Sequence, residues 1–381
     1  MQIKGSKILI TKPMKKDWLS WLPVLFWVVN LYRMTDHGTT IYLGVLYVTG
    51  IIGLVKLVFD KKILNSALTL TIVIYIFTEL INCIIIGNVG YRDLVNDLLL
   101  FGVLVAMFVY PQTYKNGLVC FYVSAFVFLT VYFRGGYAST ILISSGNYVS
   151  VLLVLSCAYY YLCIQNSNHE FRIFDILPAM LSFLLSIWAR GRGGILSCSV
   201  LLVLILVYYL RSYAQKSTRN YIIMAIAVII FLAVMSFRNV NIFDSFMNLG
   251  KWQSRGTDNT AREIIWGSYF NKTKESIVYL FFGTPLKYIP VIVSYNYNTH
   301  NSFLQLHACN GLIALLAFLI VAIKSLIYEF KNGQHLIAIA MISVIIRGMT
   351  DKFIFGQYGM PIMLYLVLWP YMESYVKSIK Q

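Results

Sequence analysis

Charge is scarce in this sequence: 12% of its 381 residues are Asp, Glu, Lys or Arg, and only 15 are acidic. One or two soluble domains are excluded, because a water-facing surface usually carries about twice that fraction. Cysteine is present but unpaired in pattern. Cys83, Cys120, Cys157, Cys163, Cys198 and Cys309 all fall in apolar stretches. There is no C-x-x-C pair and no clustered His or Asp, so neither a disulfide framework nor a metal site is expected. The sequence also lacks an internal repeat and a low-complexity tract. No small-residue cleavage site follows Lys4, Lys7, Lys12, Lys15 and Lys16, so the first apolar stretch reads as a retained span. Asp36, Asp93, Asp244, Asp258, Glu263, Glu275 and Asp351 are scattered, with no D-x-D among them, which disfavours paired-carboxylate chemistry.

What the sequence has instead is apolar length, with 59% of residues hydrophobic. A spanning helix takes about 20 apolar residues, so twelve spans use roughly 240 and leave too little for a separate soluble domain. The expected fold is all-α, a polytopic membrane helix bundle forming one integral membrane domain over 1–381. Spans are expected at 18–33, 41–59, 63–87, 94–110, 117–133, 147–164, 173–189, 195–211, 220–236, 301–323, 336–350 and 358–373. The net charge of +16 is first a topology signal and does not imply nucleic acid. With the N-terminus inside, 17 basic residues fall on cytoplasmic segments and 7 on short outer ones. Both termini are therefore expected in the cytoplasm, and residues 237–300 form one large extracytoplasmic loop before the tenth helix.

Three constellations carry possible chemistry. Thr260-Ala261-Arg262-Glu263 has capping-box spacing ahead of Ile264, Ile265 and Trp266, predicting a short interfacial helix with Arg262 in its first turn. A guanidinium touching lipid phosphate or Glu263 is the plain alternative. Trp188-Ala189-Arg190-Gly191-Arg192-Gly193-Gly194 is a turn between two spans. Its glycines permit a sharp bend and close backbone approach, and its arginines suit a lipid-linked phosphate or pyrophosphate. Snorkelling to headgroups explains them equally well. Asn298-Thr299-His300-Asn301-Ser302-Phe303-Leu304 leads into span 10. Helical spacing would align His300, Leu304, His307 and Gly311, and a histidine in a first turn feels the positive end of the helix dipole, which favours a neutral base. His307, deeper, reads as a hydrogen-bonded bundle residue. Arg347 and Asp351 are spaced for a charge-paired helix end or a cavity lining. Arg92 with Asp93, and Arg134 with Gly135 and Gly136, face outward and could hold sugar or lipid phosphate, with a structural role the simpler account.

In order and placement, the 189–194 turn, Ala261–Trp266, Phe282-Gly283 and His300–Leu304 with Gly311 resemble the bacterial Wzy polymerase and O-antigen ligase superfamily. The likeness covers the C-terminal half in motif and the whole chain in topology. It implies a GT-C-like, inverting, metal-independent glycosyltransferase without a cofactor. Such an enzyme works on undecaprenyl-pyrophosphate-linked glycans at the extracytoplasmic face of the bacterial inner membrane. Arg192 and Arg262 fall where the family binds the donor pyrophosphate, with Arg190 a second cation. His300 falls where the family places its base, with Asn301 after it. Asn301, Arg347, Arg134 and Arg92 are further substrate-binding candidates. Ala314 departs from ligase-type patterns, which often have Gly or a small polar residue there. The expected function is an O-antigen or capsular polysaccharide polymerase, extending a growing glycan onto a lipid-linked repeat unit. A chain-length regulator and a flippase are its expected partners, besides membrane lipid. The alternatives are an O-antigen ligase passing glycan to lipid A core, and a non-enzymatic lipid-linked oligosaccharide flippase, for which Glu79 and Asp97 speak. A glycosyltransferase using a monophosphate-linked sugar would need Asp36 as its acid, in a first loop too short for that role.

Overall fold

The computed structural model describes residues 18–33, 39–64, 66–110, 112–134, 147–167, 169–189, 191–212 and 260–380. The expected ninth span at 220–236, residues 237–259 of the expected loop, Asp36 and Arg190 lie outside the described residues. Among the described residues every regular element is helical. The longer helices are α1 Leu22–Arg33, α2 Thr39–Phe59, α3 Ala67–Ile85, α4 Tyr91–Val109, α5 Tyr114–Phe133 and α6 Asn147–Asn166. After them come α7 Leu177–Trp188, α8 Arg192–Ser212, α9 Thr260–Lys274, α10 Ser302–Lys331, α11 His335–Gly348 and α12 Met360–Lys380. Six of these, α2, α3, α5, α6, α8 and α10, are long and apolar enough to cross a membrane, and α1, α7 and α11 are shorter apolar helices. An apolar run in lipid has no water to satisfy its backbone, so helices that close their own hydrogen bonds are the available solution.

Each expected span on described residues coincides with a helix, usually within a few residues. The largest difference is α10, which runs past 323 to Lys331. α12 covers this stretch. Ser325 Oγ donates to Val367 O at 2.5 Å, and Glu329 is buried.

α6 is the centre of the bundle. Of its apolar window 89% is buried, against 28 to 39% for the other five long apolar helices. Its residues are apolar all round rather than on one stripe, as a helix enclosed on every side should be. A second feature fixes α2 against α4. A Cβ at Gly53 would stand 1.8 Å from Gly102 O, and one at Gly102 would stand 2.0 Å from Gly50 O. Lipid tails are as apolar as leucine, so backbone approach of this kind, not hydrophobic burial, is what holds such a pair.

α3 buries a stripe of Leu68, Ile72, Tyr75, Glu79 and Asn82 at helical spacing. Between α3, α10 and α12 lies a cavity of about 250 Å³ lined by Leu70, Ile74, Ala314, Phe318, Val321 and Leu364, among others. α10 begins and α11 ends at the same end of the bundle, where residues 260–301 and 349–359 also sit. This is termed the loop end.

Candidate functional site

α9 is set against the bundle by its apolar side chains. Ile265 and Tyr269, one turn apart, are buried with Leu286, Ile289, Ile292 and Ala308 in a small core of their own. The helix therefore lies on protein along this face, while Ile264 and Phe270 remain exposed. Arg262 precedes Ile265 by three and shares its face. Its Nη2 donates to Thr350 O at 3.2 Å.

Thr350 belongs to the connection between α11 and α12, on which several parts of the chain converge. Arg347, 1% exposed, donates through Nη1 to Thr350 Oγ1 at 2.7 Å and through Nη2 to Asn147 O at 3.0 Å. The same Nη2 lies 3.6 Å from Asp351 Oδ2, so the expected charge pair at this helix end is present and buried. The turn after α7 is pressed onto the same place. A Cβ at Gly191 would stand 2.6 Å from Asn147 Oδ1, at Gly193 2.5 Å from Thr350 Oγ1, and at Gly194 2.1 Å from Ser150 Oγ. The glycines are thus required for close packing against protein, a use the sequence reading did not foresee. Arg192 is the first residue of α8, between two of these glycines.

The segment before α10 is docked to the same connection. Asn301 caps α10, its Oδ1 accepting from Phe303 N at 2.8 Å and Leu304 N at 3.2 Å. Its amide also donates to Met349 O at 3.4 Å, so its polar atoms already serve the fold. Ser302 Oγ donates to Asp351 O at 2.7 Å and accepts from Phe353 N at 3.1 Å. Replacing Ser302 by alanine strands these buried backbone groups and should lower stability by about 1–3 kcal/mol. Thermal unfolding of the detergent-solubilised protein would register the loss, and an unchanged midpoint would contradict it.

His300 is placed differently from expectation. It precedes the cap and has φ 51°, so it is outside the first turn of α10 and off the face of His307. The dipole argument for a neutral imidazole therefore does not apply, because Asn301 occupies the helix start. Asn296 and Tyr297 also have positive φ, 53° and 57°. Non-glycine residues in this region store roughly 1–3 kcal/mol each, and such strain gathers at functional sites. The surroundings hold it in place. His300 N donates to Asn298 Oδ1 at 2.8 Å, and Trp266 Nε1 donates to Thr299 O at 3.0 Å. Lys352 Nζ donates to Tyr297 O at 3.0 Å and Asn296 O at 3.3 Å. Burial pulls the Lys352 ammonium below the ordinary lysine pKa, opposed by nearby Asp351. The His300 ring meets Tyr295 edge-on at 5.6 Å.

His307 is a bundle residue, as expected. Nε2 must donate to Leu280 O, 2.8 Å away, so Nδ1 accepts from Tyr269 OH at 2.5 Å. Both ring nitrogens are committed. The Phe282-Gly283 and Gly311 motifs also find their use in packing. Gly311 has φ 78° and interrupts α10, and a Cβ on it would stand 2.0 Å from Phe281 O. The break frees Ala308 O, which accepts from Asn82 Nδ2 at 2.7 Å and Asn88 Nδ2 at 2.8 Å.

Arg92 and Arg134 are exposed and make no described hydrogen bond or ion pair to the 349–352 connection. Asp93 caps α4, accepting from Gly90 N at 2.9 Å. Asn147, Ser302, Thr350 and Lys352 were missed as site residues. Only Ser302 lay inside a recognised motif, and the others belong to none.

Residues 177–319 match the Wzy_C family model, described as O-antigen ligase. No curated protein and no solved structure matched the chain. The matched stretch runs from α7 through the interruption of α10 and holds the glycine turn, Arg262 and the strained segment. It bears out the resemblance of this chain to the Wzy polymerase and O-antigen ligase superfamily, over the residues that include Arg192, Arg262 and His300.

Proposed function

We propose that this chain is a polysaccharide polymerase, moving a growing glycan from undecaprenyl pyrophosphate to a hydroxyl of an incoming lipid-linked repeat unit. The observation that supports it best is convergence. Arg262, the glycine turn that begins α8 with Arg192, and the strained segment presenting His300 all meet the 349–352 connection. In this reading the loop end is the extracytoplasmic face of a bacterial inner membrane, and both termini are cytoplasmic.

His300 takes the proton of the acceptor hydroxyl as its oxygen attacks the anomeric carbon. The bond from that carbon to the donor pyrophosphate breaks, and undecaprenyl pyrophosphate departs. Arg192 and Arg262, with Arg190 in a lesser role, offset the charge that develops on the leaving group. One displacement inverts the anomeric centre, and neither cofactor nor metal takes part. Arg347 is buried with Nη1 and Nη2 spent on Thr350, Asn147 and Asp351, which supports a part in shaping the connection. The family match favours a ligase, with lipid A core as acceptor, equally well.

A size-resolved gel of surface glycan from a deletion strain, with and without the restored gene, separates these readings. A single repeat that becomes a ladder on restoration is the polymerase result. Polymer held on its lipid carrier with none on the core marks the ligase, and loss of all repeats with lipid-linked units trapped inside refutes both. Arg192→Lys should keep charge yet extend glycan about tenfold or more slowly, because a bidentate fork is lost. Wild-type ladders from this variant would remove Arg192 from the donor site.

A further inference from the structure

After α9 the chain forms a short helix, Ile277–Phe282, and a turn at Gly283–Pro285. A helix this short leaves its last carbonyl groups without a donor of its own. The spans supply the donors. His307 Nε2 of α10 donates to Leu280 O at 2.8 Å, and Asn82 Nδ2 of α3 donates to Phe282 O at 2.7 Å. Asn88, just past the end of α3, donates through Nδ2 to Thr284 O at 2.6 Å. In a loop surrounded by water these carbonyls would be solvated without help. Polar side chains set on apolar spans to serve them are what irregular backbone requires at membrane depth.

The contact with Gly311 shows how far the segment reaches. A Cβ at Gly311 would stand 2.0 Å from Phe281 O, and Gly311 is about 13 Å along α10 from its start at 1.5 Å per residue. The side chains turned outward here are apolar. Ile277 is 68% exposed, and Val278 and Phe281, one and four residues on, are exposed on the same face. Their neighbours on the spans are exposed as well: Ile84 and Ile85 at the end of α3, and Ile313 just past Gly311. A surface of that kind on a spanning bundle faces lipid.

Charge stands at one edge of this surface. Residues 271–289 hold Lys272, Lys274 and Lys287 against a single acid, Glu275. Lys272 Nζ lies 2.5 Å from Glu275 Oε2 and 5.7 Å from the centre of the Tyr288 ring. Lys287 Nζ lies 5.1 Å from the centre of the same ring, which is exposed. A Cβ at Gly87, two residues past α3, would stand 3.4 Å from Lys287 Nζ, so this ammonium is level with the end of the span. Two ammonium groups about an exposed tyrosine, beside an apolar face, match the headgroup level of a leaflet.

We propose that residues 277–288 are seated in the lipid leaflet at the loop end, with Ile277, Val278 and Phe281 on acyl chains and Lys272 and Lys287 on the phosphate of an anionic phospholipid. The seat fixes the level of α9, which carries Arg262, against the membrane. It needs only a membrane bundle and stands whether or not the polymerase reading does.

The test uses the full chain. Ile277→Cys is labelled with the polarity-sensitive fluorophore NBD in nanodiscs of phosphatidylcholine and phosphatidylglycerol, and unaltered protein carried through the same labelling gives the background of the native cysteines. The label should be quenched by lipid carrying a doxyl group near the top of its acyl chain and spared by aqueous iodide. Iodide quenching equal to that of Asn332→Cys, at the exposed turn after α10, with none from doxyl lipid, overturns the seat. In detergent, phosphatidylglycerol should raise the unfolding midpoint and phosphatidylcholine should not. Lys272→Gln combined with Lys287→Gln should increase the phosphatidylglycerol concentration required by about tenfold or more, since each lysine near anionic lipid adds roughly fivefold in affinity. Equal responses to the two lipids in the unaltered protein overturn the phosphate contact without recourse to any variant, as does a response unchanged in the double variant.

Discussion

If the proposed reading holds, His300→Ala is expected to cripple glycan transfer while the protein still inserts and folds. The expected fall in rate is about 10²–10⁴-fold, the range for losing a general base. The segment should survive because its restraints come from elsewhere. The backbone N–H of residue 300 reaches Asn298, Trp266 reaches Thr299, and Lys352 reaches the carbonyls of Asn296 and Tyr297. Alanine leaves these bonds in place, although its φ of 51° is no easier than that of histidine. Transfer by purified protein from a lipid-pyrophosphate donor, scored beside the amount recovered from membranes, measures the effect. His307 cannot substitute, since both its ring nitrogens are engaged. A normally active alanine variant would therefore place the base outside both histidines.

Arg347→Met is expected to be the most damaging change to the fold. Its guanidinium joins Thr350, Asn147 and Asp351 from a position with almost no access to water. Removing one member of a buried ion pair typically destabilises by about 3–5 kcal/mol, because the remaining charge is left unpaired. Asp351 would be that charge, although Asn298 Nδ2 at 3.5 Å and Lys352 N at 2.9 Å still donate to it. The double variant Arg347→Met with Asp351→Leu should recover part of the loss, since no unpaired charge then remains. Unfolding midpoints of the two variants in detergent give the comparison. A double variant no better than the single one would mean that the hydrogen bonds to Asn147 and Thr350, not the ion pair, dominate.

Much of this architecture was legible because lipid imposes one pattern. A run such as 147–164 has few conformations open to it, and α6 forms there. Which helix is central was not legible, since α6 is no more apolar than its neighbours and only its surroundings bury it. The site was legible in its charged residues and not in its supports. Arg262, the glycine turn and the histidine segment stand out against an apolar background. Their meeting place, Met349–Lys352, has no periodicity and no motif. It becomes visible only when three segments distant in sequence are brought onto it. The error at His300 had a local cause. An asparagine ahead of Ser-Phe-Leu is a strong helix cap, and giving it that role moves the histidine outside the helix. The glycines of 191–194 were read as room for a ligand, whereas Asn147, Thr350 and Ser150 take that room.

The interruption of α10 at Gly311 has a mechanical consequence. A continuous helix is a stiff rod, and a tilt imposed at one tip is felt at the other. At Gly311 the hydrogen-bond ladder is broken, so the short piece 302–310 and the long piece beyond it are separate levers. The short lever is fastened to Phe281, Asn82, Asn88 and the 349–354 connection, and the long one to α12. Traction on the histidine segment is therefore taken up at the pivot, and the far half of the helix stays where α12 holds it.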